Sequence, residues 1–150
     1  MADTMNKAAA TDWRAGVRVV RAGDLAAART GPGGTGRATV FDFTGSGGRE
    51  TWIGSVVLPP AVDTGLHDHG RHEVALYVVR GRTEIRWGSR LQFAADLAPG
   101  DWAYFAPGVP HQERNPSADE TVEFVVARSD RERIAVARPI EPVAEPERIA

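Results

Sequence analysis

Three of the chain's four histidines crowd into Thr64-Gly-Leu-His-Asp-His-Gly-Arg-His-Glu73, a segment that ends in a carboxylate. The fourth, His111, stands in Pro107-Gly-Val-Pro-His-Gln-Glu-Arg-Asn115, a stretch dense in turn residues. Cysteine is absent, so thiolate ligands, disulfides and cysteine nucleophiles drop out together. Neutral imidazole and carboxylate are the usual ligands of a divalent transition metal when thiolate is missing. Side chains alternate along an extended strand, so His67 and His69 project to one side, about 7 Å apart at the backbone. One ion can bridge that gap. The pattern is therefore a candidate metal site, with His67 and His69 at its centre.

The elements that must carry these residues read as short strands separated by glycine and proline. The clearest are Val17–Arg21, Ala38–Phe43, Thr51–Leu58, Val74–Arg80, Thr83–Trp87, Leu91–Leu97, Trp102–Phe105 and Thr121–Arg128. Alternation is strongest where Ile85 and Trp87 oppose Glu84 and Arg86, ahead of the turn Gly88-Ser89-Arg90. Only Ala8–Ala15 and Gly23–Ala28 hint at helix. Many short strands with almost no helical period point to an all-β antiparallel sandwich or barrel. Two glycine-rich stretches, 31–36 and 45–48, lack Gly-Lys-Ser/Thr and lead into no helix, so a phosphate loop is excluded and hairpin loops are expected.

At 150 residues, 42% of them hydrophobic and 25% charged, the chain suits one globular domain with a core. That domain is expected over 13–137, preceded by a disordered 1–12 and followed by a Pro/Glu-rich extended tail over 138–150. A formal charge of -2 with scattered arginines, and Lys7 as sole lysine, gives no footprint for nucleic acid or an anionic membrane. No run approaches the roughly 18 apolar residues of a membrane span. Residues 1–12 carry no apolar core of a secretory signal, and the expected location is the cytoplasm.

The two histidine segments together resemble the paired motifs of the cupin superfamily, small jelly-roll β-barrels that bind metal inside. In the first motif, Gly, five residues, H-x-H, three or four residues, Glu, six residues and Gly follow one another. Here His67, His69, Glu73 and Gly81 fill those roles, with Ala61 in place of the leading glycine. In the second, Gly, five residues, P-x-G, two residues, His, three residues and Asn are matched by Gly100, Gly108, His111 and Asn115, with Ala106 in place of proline. The resemblance spans about residues 51–128. One departure bears on the chemistry: seven residues separate Glu73 from Gly81, and Val74 occupies the six-residue position. A one-residue shift reverses the facing of a side chain, so Glu73 reaches inward only from a turn or bulge ahead of the strand.

The resemblance implies a cupin barrel holding one divalent transition metal (Mn, Fe, Ni, Co or Zn) through His67, His69, His111 and Glu73, with open positions for water, dioxygen or substrate. His72 flanks Glu73 and reads as a rim residue rather than a ligand. On the second motif, alternation turns Gln112 outward and Glu113 inward, where Glu113 is a candidate base. Tyr104 is a candidate acid or hydrogen-bond donor. Tyr77, Trp87 and Phe105 read as core, Trp13, Trp52 and Trp102 as packing or dimer contacts, and Arg86 and Arg128 as salt-bridged or solvated, with pairing to a substrate carboxylate as the alternative. The expected activity is a metal-dependent enzyme of oxygenase or isomerase/cyclase type on a small oxygen-rich organic molecule. The alternative is a non-catalytic metal- or metabolite-binding module. Expected partners are a small-molecule substrate and a second copy in a homodimer, paired through the strand around Val17–Arg21.

Overall fold

The computed structural model describes residues 21, 23, 36–41, 51–129, 136–137 and 139–150. The expected helices at Ala8–Ala15 and Gly23–Ala28, the segment 1–12, and all of the Val17–Arg21 strand but Arg21 lie outside the described residues, apart from Gly23. Within them run eleven strands: β1 Gly36–Phe41, β2 Thr51–Leu58, β3 His67–Asp68, β4 Val74–Arg80, β5 Thr83–Trp87, β6 Phe93–Leu97, β7 Trp102–Phe105, β8 His111–Arg114, β9 Val122–Ser129, β10 Val136–Ala137 and β11 Glu147–Arg148.

They form two sheets, ordered β1-β2-β9-β4-β7 and β10-β3-β8-β5-β6-β11. Every pairing is antiparallel except β11 on β6. This is the antiparallel all-β architecture that the strand spacing predicts, and the jelly roll that the resemblance implies. Alternation supplies the core: Val74, Leu76 and Val78 of β4, Val56 and Leu58 of β2, and Val122 and Phe124 of β9 are buried against Ile85, Leu97 and Phe105. Each such side chain contributes about 1.5–3 kcal/mol of burial.

Two features set the frame of the histidine segments. The loop between β2 and β3 is tied to the end of β8 by Asn115. Its Nδ2 donates to the carbonyls of Leu58, Pro59 and Glu120 at 3.0, 3.0 and 2.7 Å, and its Oδ1 accepts from Ser117 N–H at 3.0 Å. The loop itself turns at Ala61, whose φ of 60° lies in the left-handed region. That conformation suits glycine, which is what the first motif carries at this place.

The Pro/Glu-rich C-terminal segment comes back to the second sheet. β11 pairs in parallel with β6, and Arg148 reaches the outer face of β5, 2.6 Å from Glu84. Glu84 also meets Arg86 at 2.7 Å and Arg114 at 3.0 Å. Among the described residues no helix is long and apolar enough to cross a membrane.

Candidate metal centre

His67 and His111 are direct cross-strand partners in the β3–β8 pair. Directly opposed residues in an antiparallel pair present their side chains on the same face, so the register alone brings the two imidazoles together. Their ring centroids lie 4.4 Å apart. His69 follows two residues after His67 and joins the same face, with its centroid 4.9 Å from His67 and 5.0 Å from His111. Two aspartate turns hold the segment: Asp63 Oδ1 accepts Gly65 N–H and Asp68 Oδ1 accepts Gly70 N–H, both at 2.7 Å. Such side-chain turns favour a following residue with positive φ, and Gly65 and Gly70 supply it at 75° and 58°.

One ligating atom from each of His67, His69 and His111 falls within 4.8 Å of the others. Donors on opposite sides of one ion at about 2.1 Å stand about 4.2 Å apart, so small ring rotations close this trio on a metal. The tautomers agree. His67 Nδ1 lies 2.9 Å from the Gly65 carbonyl and His111 Nδ1 lies 2.8 Å from the Val109 carbonyl. A carbonyl only accepts, so the neutral rings carry hydrogen on Nδ1 and leave the Nε2 lone pair for the metal. Burial holds His111 below the usual imidazole range against an opposing pull from Glu113. The residues fit a divalent ion.

A cavity of about 30 Å³ opens on His67 and His69, lined also by Trp52, Val74, Glu113 and Arg128. Glu113 faces inward beside His111, as alternation along β8 predicts, and is 4% exposed. Its Oε1 lies 3.7 Å from His111 Nε2, and its Oε2 accepts the Thr64 hydroxyl at 2.6 Å. Burial pushes its carboxyl up, but His111, His67 and the Thr64 hydroxyl pull it further down, below the usual carboxylate range.

Glu73 is not brought to the trio. The turn at Gly70 and Arg71 ahead of β4 does not bring it inward: Glu73 is exposed between buried His72 and Val74, and the register shift against β9 falls between Val78 and Arg80, past the site. Val74 is therefore the residue at the cavity wall. Glu73 is exposed and accepts the Tyr104 hydroxyl at 2.9 Å. Tyr104 is itself 62% exposed, on the strand that borders a second cavity of about 350 Å³. This larger space, lined by Ile85, Trp87, Leu97 and Phe105 among others, shares no lining residue with the first. Phe105 packs its ring 4.2 Å from that of His111. His72 departs from its expected place at the rim: it is 1% exposed, buried behind the turn where its N–H meets the His69 carbonyl.

Two residues that the sequence left without a place in the site, Trp52 and Arg128, stand in the cavity wall. Arg128 is 6% exposed, not solvated, and stacks its guanidinium 4.6 Å above the Trp52 ring. Trp52 folds flat over Gly54, where any Cβ would overlap the indole. The available signal was Trp-x-Gly in a strand, a pattern in which the glycine clears space for the ring two residues away.

Against known proteins, the family model for the Cupin domain matches residues 54–128. An uncharacterised conserved protein with a double-stranded β-helix domain from Klebsiella pneumoniae is similar at TM-score 0.64 and 18% identity, over 81% of this chain and 99% of that one. The polyketide cyclase RemF from Streptomyces resistomycificus is similar at TM-score 0.67 and 18% identity, over 81% and 84%. A cupin 2 domain-containing protein from Halorhodospira halophila is similar at TM-score 0.59 and 27% identity, over 77% and 74%. No curated protein matches the sequence. The matched span holds both histidine segments and the strands that pair them, and the chain belongs to the cupin superfamily.

Proposed function

We propose that the protein is a metal-dependent cupin enzyme, acting by oxygenase or isomerase/cyclase chemistry on a small, oxygen-rich organic molecule. The observation that carries this reading is the convergence of His67, His69 and His111 on one point, with Nδ1 of two of them committed to backbone carbonyls. A bound divalent metal supplies Lewis-acid polarisation, and iron or manganese adds redox chemistry. The chain's own residues do the rest. Glu113 places a carboxyl group inside the cavity, Thr64 fixes its orientation, and Val74, Phe124 and Val126 keep the wall apolar. Polyketide cyclase is the name of the Streptomyces protein; the shared fold supports including cyclisation among the reactions assayed.

The non-catalytic reading has one observation in its favour. A space of about 30 Å³ takes an ion and one or two waters and no organic substrate without movement of the wall. Elemental analysis of the purified protein, and melting temperatures with and without added Mn, Fe, Ni, Co or Zn, test the metal. Stoichiometric metal that raises the melting temperature is expected, and its absence in both assays refutes the proposal. Oxygen uptake and product formation with diols, diketones and phenolics then separate the two readings. Tight metal retention with no turnover favours the binding module.

A further inference from the structure

We infer that Glu113, oriented by Thr64, and not Glu73, is the carboxylate ligand of the metal. The inference rests on the histidine trio being a metal site. It replaces the ligand that the first motif implies with one from the second segment.

Glu113 sits two residues after His111 on β8, so the period of the strand puts both on the inner face. Donor atoms bound to one ion at about 2.1 Å lie roughly 3.0–3.4 Å apart at angles of 90–110°. Glu113 Oε1 is already 3.7 Å from His111 Nε2, so a shift of a few tenths of an ångström completes the geometry. The other oxygen is held. Thr64 donates to Oε2 at 2.6 Å and accepts the Glu113 backbone N–H at 3.1 Å, which locks the side chain and turns Oε1 toward the imidazoles. One oxygen fixed and one presented is the arrangement of a monodentate ligand with a supporting partner.

Burial argues the same way. Glu113 is 4% exposed and lines the same cavity as His67 and His69. Glu73 meets none of these conditions. It lies outside the inward row of Val74, Leu76 and Val78, in solvent, with its Oε1 taken by Tyr104.

The test is titration of the full-length, metal-stripped protein with Co(II) and Zn(II), using competition with a chelator for affinity and the Co(II) visible spectrum for coordination. Wild type, Glu113→Gln, Glu73→Gln, Thr64→Val, Thr64→Ser and His67→Ala are compared. Glu113→Gln is expected to weaken binding by about 100-fold or more and to change the Co(II) band positions and intensities. Thr64→Val is expected to cost about tenfold, in the range of lost supporting contacts, with Thr64→Ser restoring it. Glu73→Gln is expected to leave affinity within about twofold.

Wild-type affinity in Glu113→Gln, or a loss in Glu73→Gln that matches His67→Ala, overturns the assignment while leaving the metal site standing. No binding by wild type, or no loss in His67→Ala, overturns both readings. If Glu113→Gln fails to fold, the Thr64 pair decides: equal affinity and an unchanged Co(II) spectrum in Thr64→Val refute the assignment.

Discussion

Asn115 offers a demanding test of how the β2 and β8 ends are joined, because one side chain serves three carbonyls and one N–H. Replacing it by alanine strands the Leu58 carbonyl in a buried setting, where an unmet acceptor costs about 1–3 kcal/mol. The Pro59 and Glu120 carbonyls and Ser117 N–H are only partly buried, so water recovers most of their loss, and together they add about 1 kcal/mol. The expected destabilisation is about 3 kcal/mol, or roughly 6–12 °C in melting temperature for a chain of this size. Asn115→Asp sharpens the prediction. It keeps the acceptor toward Ser117 but turns a carboxylate onto three carbonyls, so at pH 7 it should be less stable than Asn115→Ala. It should recover partly as acid protonates the new group. Urea melts of the three proteins at pH 7 and pH 4.5 measure both effects. A loss under about 1 kcal/mol in the alanine variant, or an aspartate variant as stable as wild type at pH 7, refutes the reasoning.

Other substitutions probe separate elements. Ala61→Gly relieves a left-handed conformation that costs alanine about 1–2 kcal/mol, partly offset by glycine's chain entropy, so a gain of about 0.5–1 kcal/mol in thermal melts is expected. Gly54→Ala drives the Trp52 indole off its seat beneath Arg128, which tryptophan fluorescence should report as a shifted emission maximum. Burial pushes the Glu84 carboxyl up, but hydrogen bonds and charge from Arg86 and Arg148 outweigh it and hold the group below its ordinary value. Its stabilisation is complete above about pH 4.3 and is lost as pH falls through the lowered folded value, so Arg148→Ala should move the acid-unfolding midpoint to higher pH. Burial also holds His111 low, so the unfolded chain takes a proton near pH 6.5 that the folded chain resists. Metal-free protein should therefore lose stability as pH drops below about 6.5, with a shallower slope in His111→Gln.

The legible parts of the fold share one cause, a period of two sampled over enough residues. β2, β4, β5 and β7 appear with the bounds read from sequence, and β9 is displaced by one residue. The two-residue strand β3 is too short for alternation to register, and β8 carries no apolar residue to mark a strand in its turn-rich segment. The return of β11 to β6 was not legible either, because an edge pairing in a Pro/Glu-rich segment leaves no hydrophobic pattern.

The sequence by itself determined the chemistry on offer: imidazoles at i and i+2, a third imidazole in a second turn-rich segment, and no thiolate. It also determined that Glu113 shares a face with His111, since that follows from two residues along one strand. Which carboxylate stands at the trio was decided only by tertiary structure. His67 opposes His111 because of the β3–β8 register, and Glu73 turns outward because β4 enters its ladder with Val74 facing in and shifts register only after Val78. Facing is a binary property fixed by hydrogen bonds to other strands, and a count along one segment leaves it open whenever a single residue is inserted. Trp52 and Arg128 meet at the cavity for the same reason, as partners across the β2–β9 ladder that no local pattern pairs.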